Sequence, residues 1–371
     1  MKKFDKDRLL LGFAGPALAL VSAFLLTMIV LAVSGVNPVE PLRILVEQGG
    51  YEDVQVLILN QAGIYYLAAL AVAIGFRMNL FNIGVDGQYR LAAMVSAVVG
   101  ASVELPGPLH ILLIVIVAML AGAFWAGIAG LLKARRGVSE VVSTIMLNAI
   151  ATSLIAWLIL PKNLGVQLPG SNDVTTGEIP ESGWFPALTT AGGFEIYGFT
   201  FVAFALGIVY WFVLNRTRFG FDLRATGASE SAAQASGVDA KKMIMTSMLI
   251  SGAVAGLAGM PLLLGESHTY NLSFPLGIGF TGITVALLGR NSPVGIFFAA
   301  LLIAFIDKAS AGLDSAGYEK EIGTIMQGLI VIAVVVSYEL VRRYGIRRQQ
   351  QKVGEELAAG HAIKTDKEVA A

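Results

Sequence analysis

Apolar and polar residues segregate along this chain: runs of roughly 14 to 25 mainly apolar residues are separated by short polar islands. A bilayer crossing takes about 20 such residues as a helix, because a helix satisfies its own backbone groups where no water can. In order, the runs fall at 9–33, 54–74, 78–102, 109–132, 138–160, 199–214, 243–264, 272–288, 293–306 and 322–341. The pattern predicts an all-α integral membrane protein of about ten transmembrane helices, some of them short or broken. The first run follows a basic start, as in a signal peptide, but is too long for one and reads as a first span and anchor.

Composition agrees with this reading. The 371 residues are 56% hydrophobic and only 14% charged, with a mean hydropathy of +0.72, too little polar surface for a soluble fold of this size. The formal net charge is zero, but the signs are separated. Arg43, Lys162, Lys308 and Lys320 fall on one side of the predicted spans and Arg90 beside a span, while the remaining cations crowd the other side. Acidic residues favour the cation-poor side. Cation-rich loops stay inside a membrane, which puts both termini in the cytoplasm. The predicted layout is a cytoplasmic N-terminus at 1–8, a transmembrane domain at 9–341 and a cytoplasmic polar tail at 342–371, left without assigned structure. Two acidic outer segments, 37–53 and 161–198, offer contact area to a partner delivered from outside.

One polar island is unlike the others. Residues 215–242 hold Arg216, Arg218, Arg224, Lys241 and Lys242 in a cytoplasmic loop; Ser229 or Glu230 can cap a short helix through SAAQAS, and Gly237 can end it. A short Ala-rich helix with polar flanks has little apolar surface to bury against its own chain, which fits a docking element for another protein. Two spans are also irregular. RMNLFNIGVDGQYR crowds Asn79, Asn82, Asp86, Gln88 and Arg90 around Gly84 and Gly87, and the run 272–293 is broken by Pro275, Gly277, Gly279, Gly282, Gly289 and Pro293. Polar residues and broken helices at membrane depth are tolerated where they are enclosed by protein or line a wet path. Gly252 and Gly256, and likewise Ala126 and Gly130, have the spacing of close helix contacts.

Several chemistries are missing from the sequence. There is no Walker A motif and no Gly-Lys pair, so energy from ATP must come from a separate subunit. No hydrolase or metalloprotease motif is present, and His110, His268 and His361 lack ligand spacing. No catalytic residue, metal site or cofactor of the chain's own is expected. An intramembrane enzyme would need a facing acid and base, and only Asp86 and Glu140 stand near enough to spans; Glu140 reads as a helix N-terminal acid. An ion-coupled secondary transporter would need carboxylates near the midplane, for which Asp86 alone stands.

Four stretches in order, FNIGVDGQ at 81–88, GVSEVVSTIMLN at 137–148, TRFGFDLRATGASESAAQASGV at 217–238 and GFTGITVALLGRNSPVG at 279–295, resemble ABC importer permeases of the branched-chain amino acid and ribose permease superfamily. EVVSTIMLN most resembles the permeases that import nucleosides with basic membrane protein type lipoproteins. The resemblance implies an ATPase interface at Asp222, Leu223, Arg224, Gly227, Glu230, Ala232, Ala233 and Gly237, and a substrate path near Asn82, Asp86, Gln88 and Asn148. It also implies an ABC ATPase subunit, a second and different permease, an external solute-binding lipoprotein and a small-molecule solute, with no nucleic acid. The implied site is the bacterial cytoplasmic membrane, with alternating access as the mechanism. Ribose or a branched-chain amino acid stays open as the solute.

Overall fold

The computed structural model describes residues 6–33, 35, 37–167, 170, 172–319 and 321–369. Residues 1–5 of the expected N-terminal segment, and Lys320 among the expected outer cations, lie outside the described residues. The elements in order are α1 (Lys6–Val33), α2 (Val39–Gln48), α3 (Glu52–Phe76), α4 (Val85–Ala101), α5 (Gly107–Arg136), α6 (Glu140–Leu158), β1 (Val166–Gln167), β2 (Val174–Thr175), a 3-10 turn (Glu181–Gly183), β3 (Leu188–Thr189) and β4 (Glu195–Ile196). They continue with α7 (Gly198–Arg216), α8 (Arg218–Ala228), α9 (Glu230–Ala235), α10 (Ala240–Leu257), α11 (Met260–Leu262), a π turn (Leu263–Ser267), α12 (Ile278–Leu288), α13 (Pro293–Ala309), α14 (Ala311–Ser315) and α15 (Glu321–Val369).

Among the described residues, seven helical stretches are long and apolar enough to cross a membrane: Glu52–Phe76, Gly107–Arg136, Glu140–Leu158, Gly198–Arg216, Ala240–Ser267, Pro293–Ser315 and Glu321–Gly345. Val21–Val33 and Ile278–Leu288 are shorter apolar helices. Each apolar run of the sequence therefore lies on a helix, but two begin late. The run from residue 78 becomes helical only at Val85, after a turn in which Asn79 takes a left-handed φ of 58°. The run from residue 272 becomes helical at Ile278, behind Gly277 at φ 82°. The tail, to which the sequence assigns no structure, continues α15.

The chain divides into two compact units. In one, α1 packs along α15, and the Ser22 and Ser337 hydroxyls meet at 3.1 Å. The other, residues 44–317, is organised around α3. Its Ala- and Gly-rich sequence is buried without a break from Ala62 to Gly75, as expected of a helix that is apolar all round. Helices α7, α10, α12 and α13 pack around it. A second close pairing joins α5 to α10. A methyl on Gly252 would strike Ala126 and the Gly122 carbonyl, one on Gly256 would strike Ala118, and one on Gly130 would lie 2.9 Å from Met248 Cβ. The small residues seen in the sequence are thus where the two backbones nearly touch, the usual device where dispersion rather than water drives packing.

The long segment between α6 and α7 is ordered by two antiparallel ribbons, β1 with β2 and β3 with β4. It is tied down on the stretch after α10: Ile179 N–H donates to the His268 carbonyl and Thr176 N–H to the Tyr270 carbonyl, both at 2.9 Å.

Candidate functional site

The turn at residues 77–84 leaves the start of α4 without a side-chain cap of its own, yet every helix start has orphan N–H donors. Side-chain amides supply the acceptors. Asn82 Oδ1 accepts from Gly84 N at 3.1 Å. Asn148, on α6, accepts from Gly87 N through Oδ1 and donates to the Ile83 carbonyl through Nδ2, both at 2.9 Å. Its amide is therefore inserted between the carbonyl and N–H that would otherwise close one helical turn. Gly87 makes the approach possible, since a Cβ there would lie 2.9 Å from Asn148 Oδ1.

Asn82 and Gln88 form a reciprocal amide pair, each donating to the other's oxygen at 2.9 Å. Asn82 Nδ2 also donates to Ser251 Oγ at 2.8 Å, and Ser251 donates onward to the Ala71 carbonyl at 2.7 Å. Both amides are 1% exposed. This network links α3, α4 and α10, while Asn148 brings in α6. Asp86, 9% exposed, accepts from Gly279 N at 3.3 Å, joining the start of α4 to the start of α12. The four residues expected near a path thus gather at one broken helix start, where the three amides hold backbone and helices together. Glu140 is paired with Lys133 at 2.9 Å and accepts from Phe81 N at 3.4 Å, in keeping with an acid in the first turn of α6.

Arg90 also belongs to this region. It lies one helical turn beyond Asp86, on the same face, and donates to Thr152 Oγ1 at 3.1 Å. The sequence placed Arg90 beside a span and gave it no role; its i, i+4 spacing from Asp86 was the available signal. Ser251, Thr152 and Tyr270 carried no such signal.

The second cluster is the island between α7 and α10, which folds as two short helices. Thr217 caps α8 and Ser229 caps α9, accepting from Ala232 N at 3.3 Å. Gly237, at φ 85°, closes α9: its N–H reaches the Gln234 carbonyl and that of Val238 reaches the Ala233 carbonyl, a Schellman pairing. The expected cap and stop residues are therefore the observed ones. Leu223 and Ala233 face inward and are buried; Asp222, Arg224 and Gly227 are half-buried; Glu230, Ala232 and Gly237 are exposed. Between α8, α9 and the start of α10 lies an open cavity of about 770 Å³, edged by Arg218, Asp222, Ser229, Asp239 and Lys242. A methyl on Gly227 would strike the Arg77 carbonyl, so α8 rests directly on the turn that leads to Asn82.

At the other end of the unit, Trp184 stacks on His268 at 3.8 Å between ring centroids and 8° between planes. Burial holds the imidazole below its ordinary range, against the pull of Glu178, Glu195 and Glu266. Tyr197 donates to Glu266, and burial, then that bond, pushes the phenol above its usual range.

A profile of the family described as branched-chain amino acid transport system / permease component matches residues 55–335. The guanosine ABC transporter permease protein NupP of Bacillus subtilis is 38% identical over 293 residues, which cover 76% of this chain and 81% of that one. The nucleoside ABC transporter permease protein NupB of Lactococcus lactis subsp. cremoris is 33% identical over 343 residues, 87% of this chain and 90% of that one. The glucose ABC transporter permease protein TsgB13 of Haloferax volcanii is 30% identical over 356 residues, 91% and 90%.

Proposed function

This chain belongs to the family of branched-chain amino acid transport system permease components, and from that premise we propose that it is the transmembrane permease subunit of an ATP-driven ABC importer of nucleosides. It is a multi-pass transport component and performs no catalytic step; ATP is hydrolysed on a separate ATPase subunit. The observation that carries the solute is the similarity to NupP and NupB, whose names specify guanosine and nucleosides, over most of all three chains. Counting α1, α4 and α12 with the seven stretches gives ten spans, with both termini cytoplasmic and the chain in the bacterial cytoplasmic membrane. Beside NupP and NupB, the same two bacteria have a second, differently named permease similar to this chain, NupQ and NupC, which supports a heteromeric permease pair. An external solute-binding lipoprotein delivers the solute.

In the proposed mechanism the ATPase grips α9 through Glu230 and Ala232, with Arg224 and Asp222 on α8 beside them. Closure of the ATPase domains moves α8 and α9 together, because Ser229 both ends one and caps the other. The movement has two routes inward: through Asp239, which caps the continuing α10, and through Gly227, which lies on the turn before Asn82. Both reach the network around Asn82, Asp86, Gln88 and Asn148, where alternating access opens the path.

The test is uptake of a labelled nucleoside by cells with and without this chain, challenged by unlabelled nucleosides, ribose, glucose and leucine. Competition by nucleosides alone supports the reading; competition by a sugar or leucine refutes the solute class and leaves the permease. The similarity to TsgB13 over 91% of the chain specifically favours a monosaccharide as the second reading. Substitution of Glu230 or Arg224 should uncouple uptake while leaving membrane insertion intact, and loss of insertion would reject the docking role.

A further inference from the structure

We propose that Arg90 and Tyr270 form a base-selecting subsite within the membrane region, which takes acceptor atoms of the nucleobase and favours oxopurine over aminopurine nucleosides. The inference rests on the nucleoside reading above. Arg90 is 3% exposed and sits in the second turn of α4, within the membrane region, where a charged side chain is costly and marks a solute or ion route unless its partners explain it. Its partners do so only in part. The Asp86 carboxylate one turn earlier lies within electrostatic reach and offsets the charge, and Nη1 donates to Thr152, but Nε is buried with no hydrogen-bond partner.

Tyr270 presents the same mismatch. It is 0% exposed, and its backbone is held on both sides by Thr176, through Tyr270 N to Thr176 Oγ1 and Thr176 N to the Tyr270 carbonyl, each at 2.9 Å. Its hydroxyl is buried against the Arg90 guanidinium, without a hydrogen bond of ordinary length and angle. Tyr89, on the same turn of α4 as Arg90, donates to the Pro275 carbonyl, so the neighbouring phenol is satisfied where this one is not. Buried hydrogen-bonding groups are almost always matched. Arg90 Nε and the Tyr270 hydroxyl, side by side without a regular bond and on elements otherwise fixed by hydrogen bonds, fit a ligand that completes both.

Position supports a solute as that ligand. Helix α4 packs against α5, α6, α10 and α12, and the Arg90 tip reaches Thr152, which is exposed on α6. The subsite therefore lies one side chain below the exposed face of α6. Guanidinium is a donor only. An oxopurine edge offers it two acceptors, O6 and N7, whereas an aminopurine presents a donor in place of O6.

The experiment measures labelled guanosine uptake by the assembled transporter, with unlabelled guanosine, inosine and adenosine as competitors. Wild type should be competed more strongly by inosine than by adenosine. Arg90→Gln should shrink that preference by about tenfold, the worth of one charged hydrogen bond at its low end. Tyr270→Phe, which removes one oxygen and leaves the packing, should shrink it severalfold. Co-purification with the ATPase subunit establishes assembly of each variant, and the Tyr270 variant carries the test alone if Arg90→Gln does not assemble. An assembled variant that lowers uptake with the preference unchanged makes the residue structural and overturns the subsite. Absence of nucleoside uptake by the wild type overturns the nucleoside reading itself, a distinct result.

Discussion

Replacement of Asn148 separates a clamp from a solute contact. In Asn148→Ala, Gly87 N–H and the Ile83 carbonyl lose their partners at 2.9 Å. The first loss is that of a helix N-cap contributed from another helix, about 0.5–2 kcal/mol. The second leaves a carbonyl with no helical partner at membrane depth, about 1–3 kcal/mol. Side-chain hydrogen bonds between regular membrane helices average only about 0.6 kcal/mol, because the separated helices find other partners. That discount applies weakly here, since the turn at 77–84 has irregular backbone groups. We expect the variant to lose about 2–4 kcal/mol. Asn148→Asp keeps an acceptor for Gly87 but turns a carboxylate oxygen toward the Ile83 carbonyl, so it should be no more stable than Ala. Unfolding in mixed micelles by added SDS, followed by circular dichroism, measures both. An Ala variant within about 0.5 kcal/mol of wild type that changes solute preference would refute the clamp and place Asn148 on the path.

Ser229→Ala removes the cap of α9 and should cost that helix about 1 kcal/mol; weaker co-purification of the ATPase with unchanged membrane insertion is the expected readout, and unchanged co-purification rejects a folded α9 as the docking element. Gly256→Leu forces a side chain into the Ala118 backbone on α5 and should destabilise by more than the usual 1–3 kcal/mol of overpacking, whereas Gly137→Ala, at an open turn with φ 67°, should cost about 1 kcal/mol of backbone strain. Equal effects in the same SDS titration would contradict the α5–α10 contact. Because burial lowers the His268 pKa, the folded chain binds fewer protons than the unfolded chain as pH falls below about 6.5. The His268 contribution to stability should therefore be constant above that pH and decline below it, through the lower folded pKa. His268→Phe keeps the stack on Trp184 and should remove the His268 part of the decline below about pH 6.5; an unchanged slope would exclude His268 as its source.

Long apolar runs made the helices legible, because nothing but a helix satisfies a backbone in hydrocarbon. Local chemistry made α9 legible too: Ser229 and Gly237 act within a few residues of the helix they bound. The break before α4 was readable only as composition. Asn82, Gln88 and Asn148 stood out as polar residues in or beside apolar runs, but what they bond to depends on contacts such as Asn148 with Gly87, 61 residues apart, and Asn82 with Ser251, 169 apart. Periodicity has no access to such pairs. Burial of Leu223 and Ala233 beside the exposed Glu230 and Ala232 likewise follows from packing against the rest of the unit.

Those distant bonds bear on how transport and coupling share one region. Both donors and both lone pairs of the Asn82 amide are taken, by Gln88, Ser251 and Gly84, so a solute can engage Asn82 only by displacing a bond that holds the start of α4 together or to α10. Arg90 Nε and the Tyr270 hydroxyl require no such exchange. In the proposed mechanism, first contact at Arg90 and Tyr270, followed by release of Asn82 as α8 shifts the turn beneath Gly227, orders the steps without any group serving as clamp and solute site at once. On this reasoning, loss of Asn148 should loosen coupling for every solute alike, while loss of Arg90 should change which solute is carried.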